Sequence, residues 1–219
     1  MLLRRFTEIR SVIAAALALV VLAGCASGGP AKAPESRGTA ASPVAPGEPG
    51  EETVPPQVQT LYEQAVASMA AGDYVDAELR FKEFQLQYPG YPGAYVNLAI
   101  IHANNDDDAA VRTNLDAALA LNPNHPAALN QLGMLLRKNG KFIEAEAAYL
   151  KAVTVSPDYA LAHYNMGVLN ELYLQRLDVA LQNFETYQEL VGEDKQVAKW
   201  IADLRRRVAA TQRTANVAE

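Results

Sequence analysis

Pro89, Pro123 and Pro157 stand 34 residues apart, and the same residue classes recur around each of them at fixed offsets. A period of this length constrains the fold more than composition does, because one such unit cannot bury an apolar face alone and must stack on its neighbours. Laying residues 58–91, 92–125, 126–159 and 160–193 over one another brings Gln64, Leu98, Leu132 and Met166 to the seventh position. The eighth then reads Ala65, Ala99, Gly133 and Gly167, small residues that let helix backbones approach. Ala77, Val111 and Ala145 share the twentieth position, and Phe81, Leu115 and Tyr149 the twenty-fourth, where a large side chain fills the space the small ones leave. Proline at the thirty-second position cannot continue a helix and restrains the residue before it, so it fixes the turn into the next unit. The fourth unit requires one extra residue between Gly167 and Ala180, after which Phe184 and Leu190 return to register, and Gly192 stands in the proline's place.

The expected fold is all-α: a solenoid of four helical hairpins plus a C-terminal capping helix, after a signal peptide and a disordered linker. At 219 residues the chain has room for one such stack and its tails, and strand-like alternation is absent from residue 58 onward. A stack needs cover for its last apolar face. Val197, Trp200, Ile201, Leu204 and Val208 supply one helical face for this, leaving Lys199, Arg205, Arg206 and Arg207 on the other. That basic run is either a solvated face or a dock for an acidic partner or phospholipid headgroups.

The small eighth residue, the turns Gly72-Asp73-Tyr74 and Gly140-Lys141-Phe142, the twentieth Ala, the aromatic twenty-fourth residue and the recurrent Pro resemble the tetratricopeptide repeat family over roughly residues 58–193. The second unit departs from this pattern, with Asn105-Asp106-Asp107-Asp108 in its turn, and Leu61 replaces the aromatic expected at position four of the first. The resemblance implies a fold and a mode of action, binding in a groove, without naming a partner. It further implies that positions two, five, nine, twelve and thirteen of each first helix line the groove. From the first two units come Gln59, Tyr62, Val66, Met69 and Ala70, then Gly93, Val96, Ile100, Ala103 and Asn104. The last two contribute Ala127, Asn130, Met134, Arg137 and Lys138, then Leu161, Tyr164, Val168, Glu171 and Leu172. The expected floor is apolar, suited to an extended peptide or the apolar side of a helix, with Asn104 and Asn130 placed to bond its backbone. The family's clamp for a carboxyl-terminal carboxylate would need Lys or Asn at Tyr62, Val66 and Asn97 and basic residues at Ala127 and Gln131; only Asn97 matches.

At the amino terminus Arg4, Arg5 and Arg10 precede the apolar run Val12 to Val21 and then Leu22-Ala23-Gly24-Cys25. A positive leader, an apolar stretch short for a membrane span and small residues at a cleavage site are the parts of a secretory signal. The segment resembles a bacterial lipoprotein signal, which implies a signal peptide over 1–24 and lipidation of Cys25 as first mature residue. An uncleaved single-span anchor is the alternative. Cys25 is the only cysteine, so no disulfide competes for it. By the same resemblance, Ala26 after the cysteine favours the outer membrane, facing the periplasm. Residues 25–57 then form a tether rich in Pro, Gly, Ala and Ser with too few large apolar residues for a core, and its reach is about 30 Å. Residues 194–219 are the capping helix and tail.

Removing the signal leaves sixteen basic and twenty-four acidic residues, a net charge of −8. An acidic chain repels phosphate, and no aromatic and basic stripe offsets this, so no nucleic acid is expected as partner. No phosphate loop, nucleophile elbow or paired metal-spaced histidines occur in the sequence, so neither an enzyme nor a cofactor is expected. His102 and His163 fall at helix-packing positions and His125 in a turn. Asp106 to Asp108 lacks the glycine and later glutamate of a calcium loop, and is expected to open a helix with Asp108 as N-cap. The leading expectation is an outer-membrane-anchored periplasmic scaffold holding a segment of an envelope-assembly protein. Its layout also resembles type IV pilus pilotins and lipid-anchored scaffolds for cell-wall hydrolases; a cell-envelope enzyme is the reading of another class.

Overall fold

The computed structural model describes residues 55–217, with side chains to Arg213. The expected signal peptide, Cys25 and the tether up to residue 54 lie outside the described residues. Within them, α1 (Pro56–Ala70), α2 (Tyr74–Gln87), α3 (Pro92–Asn104), α4 (Asp108–Leu121), α5 (Pro126–Lys138), α6 (Phe142–Val155), α7 (Ala160–Leu172) and α8 (Leu177–Val191) pair as successive hairpins. α9 (Lys195–Val217) packs on α8. The described residues are therefore a solenoid of four hairpins and a terminal helix, without strands, as the period predicts.

Local chemistry places the helix ends. Pro56, Pro92 and Pro126 open α1, α3 and α5, where a missing N–H costs nothing and a fixed φ is already helical. Each second helix follows a residue in the left-handed region: Gly72 (φ 80°), Asp106 (56°), Gly140 (74°) and Gln175 (56°). The next amide in each turn bonds back to the carbonyl of the eleventh repeat position: Asp73 to Ser68 at 3.0 Å, Asp107 to His102 at 3.1 Å, Lys141 to Leu136 at 2.9 Å and Arg176 to Asn170 at 2.9 Å. The fourth of these loops is one residue longer, which places the insertion between Leu172 and Gln175 and restores the register of α8.

The N-cap of α4 is Asp107 and not Asp108. Asp106 takes the left-handed turn position, so the Asp107 carboxylate accepts from the Ala110 amide at 3.0 Å, as Asp73 does from Asp76. Asp108 is the first helical residue, and its carboxylate lies 2.7 Å from Lys138 Nζ. At the other ends, α2, α4 and α6 stop two residues before Pro89, Pro123 and Pro157. Without that proline α8 runs one position further and ends on Gly192 at φ 85°, which proline cannot adopt.

The packing rule read from the sequence is realised directly. Phe81, Leu115, Tyr149 and Phe184 are fully buried, as are Ala77, Ala145 and Ala180. A Cβ on Gly167 would fall 2.7–2.9 Å from Phe184 ring carbons, and one on Gly133 would come closer still to Tyr149. At the open first hairpin, position seven is the exposed Gln64, whose side-chain oxygen accepts from Arg80 at 3.3 Å. Arg80 in turn pairs with Asp76 at 2.5 Å. A polar residue there fits an end with no preceding hairpin.

The closing helix is more specific than an amphipathic lid. Val197, Ile201 and Leu204 are buried at positions three, seven and ten counted from Lys195, matching buried Ala94, Leu98 and Ile101 of α3 and Ala162, Met166 and Leu169 of α7. The small eighth residue also recurs as Ala202, exposed because no second helix covers it. α9 is thus the first half of a fifth hairpin. Its basic run is engaged within the chain: Arg205 with Glu185 at 2.7 Å, Arg206 with Asp203 at 2.9 Å and Arg207 with Glu171 at 2.8 Å. Those pairs favour the solvated-face reading of the basic run over a dock for an acidic partner.

Burial pushes the Tyr159 hydroxyl up to about 12 and raises Tyr62 and Tyr149 further. The folded state holds these protons more tightly than the unfolded chain, so their contribution is complete below about pH 10 and is lost as pH rises toward 12. Absorbance at 295 nm is expected to show a group of tyrosines ionising only together with the loss of helical circular dichroism. Ionisation of all ten tyrosines with the helices intact would contradict this burial.

Candidate functional site: the inner face of the first helices

Neighbouring first helices touch directly, α3 with α5 and α5 with α7, whereas no pair of second helices packs in this way. The stack therefore curves with first helices inside, and its concave surface is built from them. The ninth position supplies a row across all four hairpins: Val66 and Met134 are half-buried, Ile100 and Val168 nearly covered. Asn104 and Lys138, at position thirteen, are exposed, and Arg137 and Glu171 at position twelve are half-buried. Met69 is buried and Tyr164 half-buried.

Among the expected lining residues, Met69, Ile100 and Val168 are instead buried at 5–6% exposure, and three at position five more completely. Tyr62, Val96 and Asn130, all at position five, are 0%, 0% and 1% exposed. The physical reason is the seam between hairpins, where position five of one unit meets position six of the next. Asn97 Nδ2 donates to Tyr62 Oη at 2.7 Å, and Asn165 Nδ2 donates to Asn130 Oδ1 at 3.0 Å. Tyr164 meets Trp200 of α9 in the same way, with ring centroids 6.1 Å apart. Buried polar side chains need partners, and these two pairs provide them. Asn130 is consequently not placed to bond a bound peptide's backbone; Asn104 is. Asn97, the one match to the family's carboxylate clamp, is enclosed in its bond to Tyr62.

Sequence reasoning overlooked this seam, although its signal was present: Asn97, Gln131 and Asn165 share position six and are all buried. Of the charged groove residues, Lys138 binds Asp106 at 2.8 Å and Asp108 at 2.7 Å, tying the third hairpin to the second. Glu171 is held by Arg207. The Arg137 side chain makes neither hydrogen bond nor ion pair among the described residues, and its Nη1 is enclosed without a partner. The Tyr149 hydroxyl is likewise buried without a partner, and the Arg137 charge acts on it, opposing the rise that burial imposes. Among the described residues no cluster of His, Cys, Asp and Glu could hold a metal ion. His125 caps α5, its Nδ1 accepting from the Ala128 amide at 3.2 Å.

Comparison with known proteins agrees with this architecture. Family models described as tetratricopeptide repeats match residues 62–126 and 114–147, and one described as a TPR repeat matches 133–172. The chain is 30% identical over 101 residues to the photosystem I assembly protein Ycf3 of Rippkaea orientalis (strain PCC 8801 / RF-1), covering 42% of this chain and 58% of that protein. It spans less than two thirds of the length of the curated relatives it matches. Among solved structures it resembles pilF of Pseudomonas aeruginosa, with a TM-score of 0.61 and 22% identity over 71% of this chain and 72% of that one. It also resembles the first TPR of Spaghetti (RPAP3) bound to the HSP90 peptide SRMEEVD, with a TM-score of 0.50 and 16% identity over 54% and 95% of the two chains. The repeat register, the small-against-large core, the curvature and these matches together identify tetratricopeptide repeats over residues 62–172 within the solenoid of hairpins, a fold suited to protein–protein interaction.

Proposed function

We propose that this protein is a lipid-anchored periplasmic scaffold at the outer membrane, holding an apolar or amphipathic segment of an envelope-assembly protein in its concave groove. The observation that carries the groove reading is the ninth-position row on the inner face, where half-buried Val66 and Met134 present apolar surface and Ile100 and Val168 are almost covered. A row of aliphatic and thioether side chains adapts to an apolar surface, while exposed Asn104 offers both a donor and an acceptor to a peptide backbone. The first TPR of RPAP3 binds a peptide of HSP90, and the shared fold supports the same mode of use here. Photo-crosslinkers at Val66, Asn104 and Met134 are expected to trap one species that a crosslinker at exposed Thr113 on α4 does not. Identical adducts at both sites would mean that the groove is not the binding face.

Anchoring rests on the sequence around Cys25. Cys25→Ala is expected to abolish labelling by an alkyne palmitate analogue and to shift the protein from the membrane fraction to the soluble one. Unchanged labelling and fractionation would refute lipidation. No helix of the described residues is long and apolar enough to cross a membrane. The order of signal, tether and short repeat stack supports a narrower second reading, a pilotin-like assembly factor for a type IV pilus or secretion machine. Loss of secretin multimers on deleting the gene is its expected consequence, and intact multimers would eliminate it.

A further inference from the structure

The groove reading leaves the chemistry of the bound segment unspecified, and one side chain narrows it. At the five groove positions of the four repeats only Arg137 and Lys138 are cationic. Lys138 is consumed by Asp106 and Asp108, and the other cation reaching this face, Arg207, is consumed by Glu171. Of these three cations only Arg137 has no carboxylate partner among the described residues. A half-buried guanidinium with an enclosed, unpaired N–H is an unfavourable arrangement in the free protein, because desolvating a charge without a counter-charge is costly. Of the four enclosed side-chain atoms without a partner among the described residues, Gln85 Nε2, Arg137 Nη1, Tyr149 Oη and Asn170 Oδ1, two belong to the third hairpin, whose ninth position is Met134 in the apolar row, and only Arg137 carries a charge. The pattern of the charges elsewhere supports specific use, since every arginine of α9 from Arg205 to Arg207 has been given an acid.

We propose that Arg137 is the specificity anchor of the groove, pairing with an Asp or Glu side chain of the bound segment whose neighbouring apolar residues lie on Val66 and Met134. A planar guanidinium matches a carboxylate through two parallel hydrogen bonds, which fixes register as well as adding attraction. The chain's net negative charge repels acidic segments that lack the apolar flank, so selection requires both features. The arrangement differs from the carboxyl-terminal clamp, whose positions here are mostly apolar or enclosed: it reads an internal acidic side chain in the third hairpin.

The inference rests on the groove reading, and one selection separates their failures. A random dodecapeptide display library is selected on the full chain in detergent, and the recovered peptides are measured against three variants. Arg137→Gln removes the charge, Arg137→Lys retains it without the planar fork, and Val66→Gln with Met134→Gln removes the apolar row without adding charge. Circular dichroism melts identify the folded variants. The expected peptides carry Asp or Glu at one recurrent position beside apolar residues and bind the double variant at least tenfold more weakly. They also lose at least tenfold on Arg137→Gln, regain part of it on Arg137→Lys and weaken as salt is raised. Peptides that depend on the apolar row but show no acidic position and no loss on Arg137→Gln would overturn the anchor and leave the groove. Peptides indifferent to all three variants would overturn both. If Arg137→Gln does not fold, the acidic preference and the result with Arg137→Lys and salt decide the question.

Discussion

Phe184→Ala is expected to destabilise the protein by about 3–5 kcal/mol, the range for removing a fully buried aromatic side chain and leaving a cavity. Phe184 is the twenty-fourth residue of the fourth hairpin and touches everything that closes the stack. Its ring meets Tyr164 edge-on at 5.9 Å and Trp200 of α9 at 5.6 Å, and it covers the backbone at Gly167. Collapse around the cavity is hindered because Gly167 offers no side chain to move in. Urea unfolding followed by circular dichroism measures the loss. A shift below 1 kcal/mol would show that α9 does not depend on this ring. Because α9 is the first half of a fifth hairpin resting on α8, protease cleavage in α9 is expected to accelerate in the same variant.

Gly133→Ala is expected to cost about 1–3 kcal/mol by overpacking, although alanine is the better helix former by about 1 kcal/mol. The added Cβ would lie within 2.8 Å of three Tyr149 ring carbons, closer than carbon atoms approach. The second hairpin shows the compatible alternative, with Ala99 at the same position facing fully buried Leu115. Gly133→Ala combined with Tyr149→Leu should therefore be less destabilising than the sum of the two single changes. A double-mutant cycle measures that coupling, expected at about 1–2 kcal/mol in favour of the matched pair. Additive effects would show that positions eight and twenty-four are not packed as one unit.

Much of this fold was legible because a 34-residue period repeats each physical requirement several times. The turn residues, the small eighth position, the aromatic twenty-fourth and the helix-ending prolines each act locally, within one hairpin or across its turn. The insertion in the fourth unit was readable for the same reason: Ala180 and Phe184 return to register after it. The N-cap of α4 was misplaced by one residue because three consecutive aspartates are chemically equivalent as caps. The choice among them depends on which takes the left-handed turn position, here Asp106.

The candidate site was less legible, since a groove position assigned by helix period says which way a Cα faces but not how near the next helix comes. Val66, Asn104, Met134 and Arg137 remain at the inner surface. Tyr62, Val96 and Asn130 do not, because adjacent first helices approach until position five is sealed by position six of the neighbour.

The sequence by itself determined a repeating helical hairpin, its number of copies and an apolar closing helix, because these follow from residue spacing and local backbone chemistry. Only the tertiary structure decided which groove side chains stay open, which charges are already paired, and that Arg137 has no counter-charge among the described residues. Those facts depend on distances between residues some 30 positions apart, such as Lys138 to Asp106 and Asp108, or Arg207 to Glu171, and no spacing along the chain encodes them.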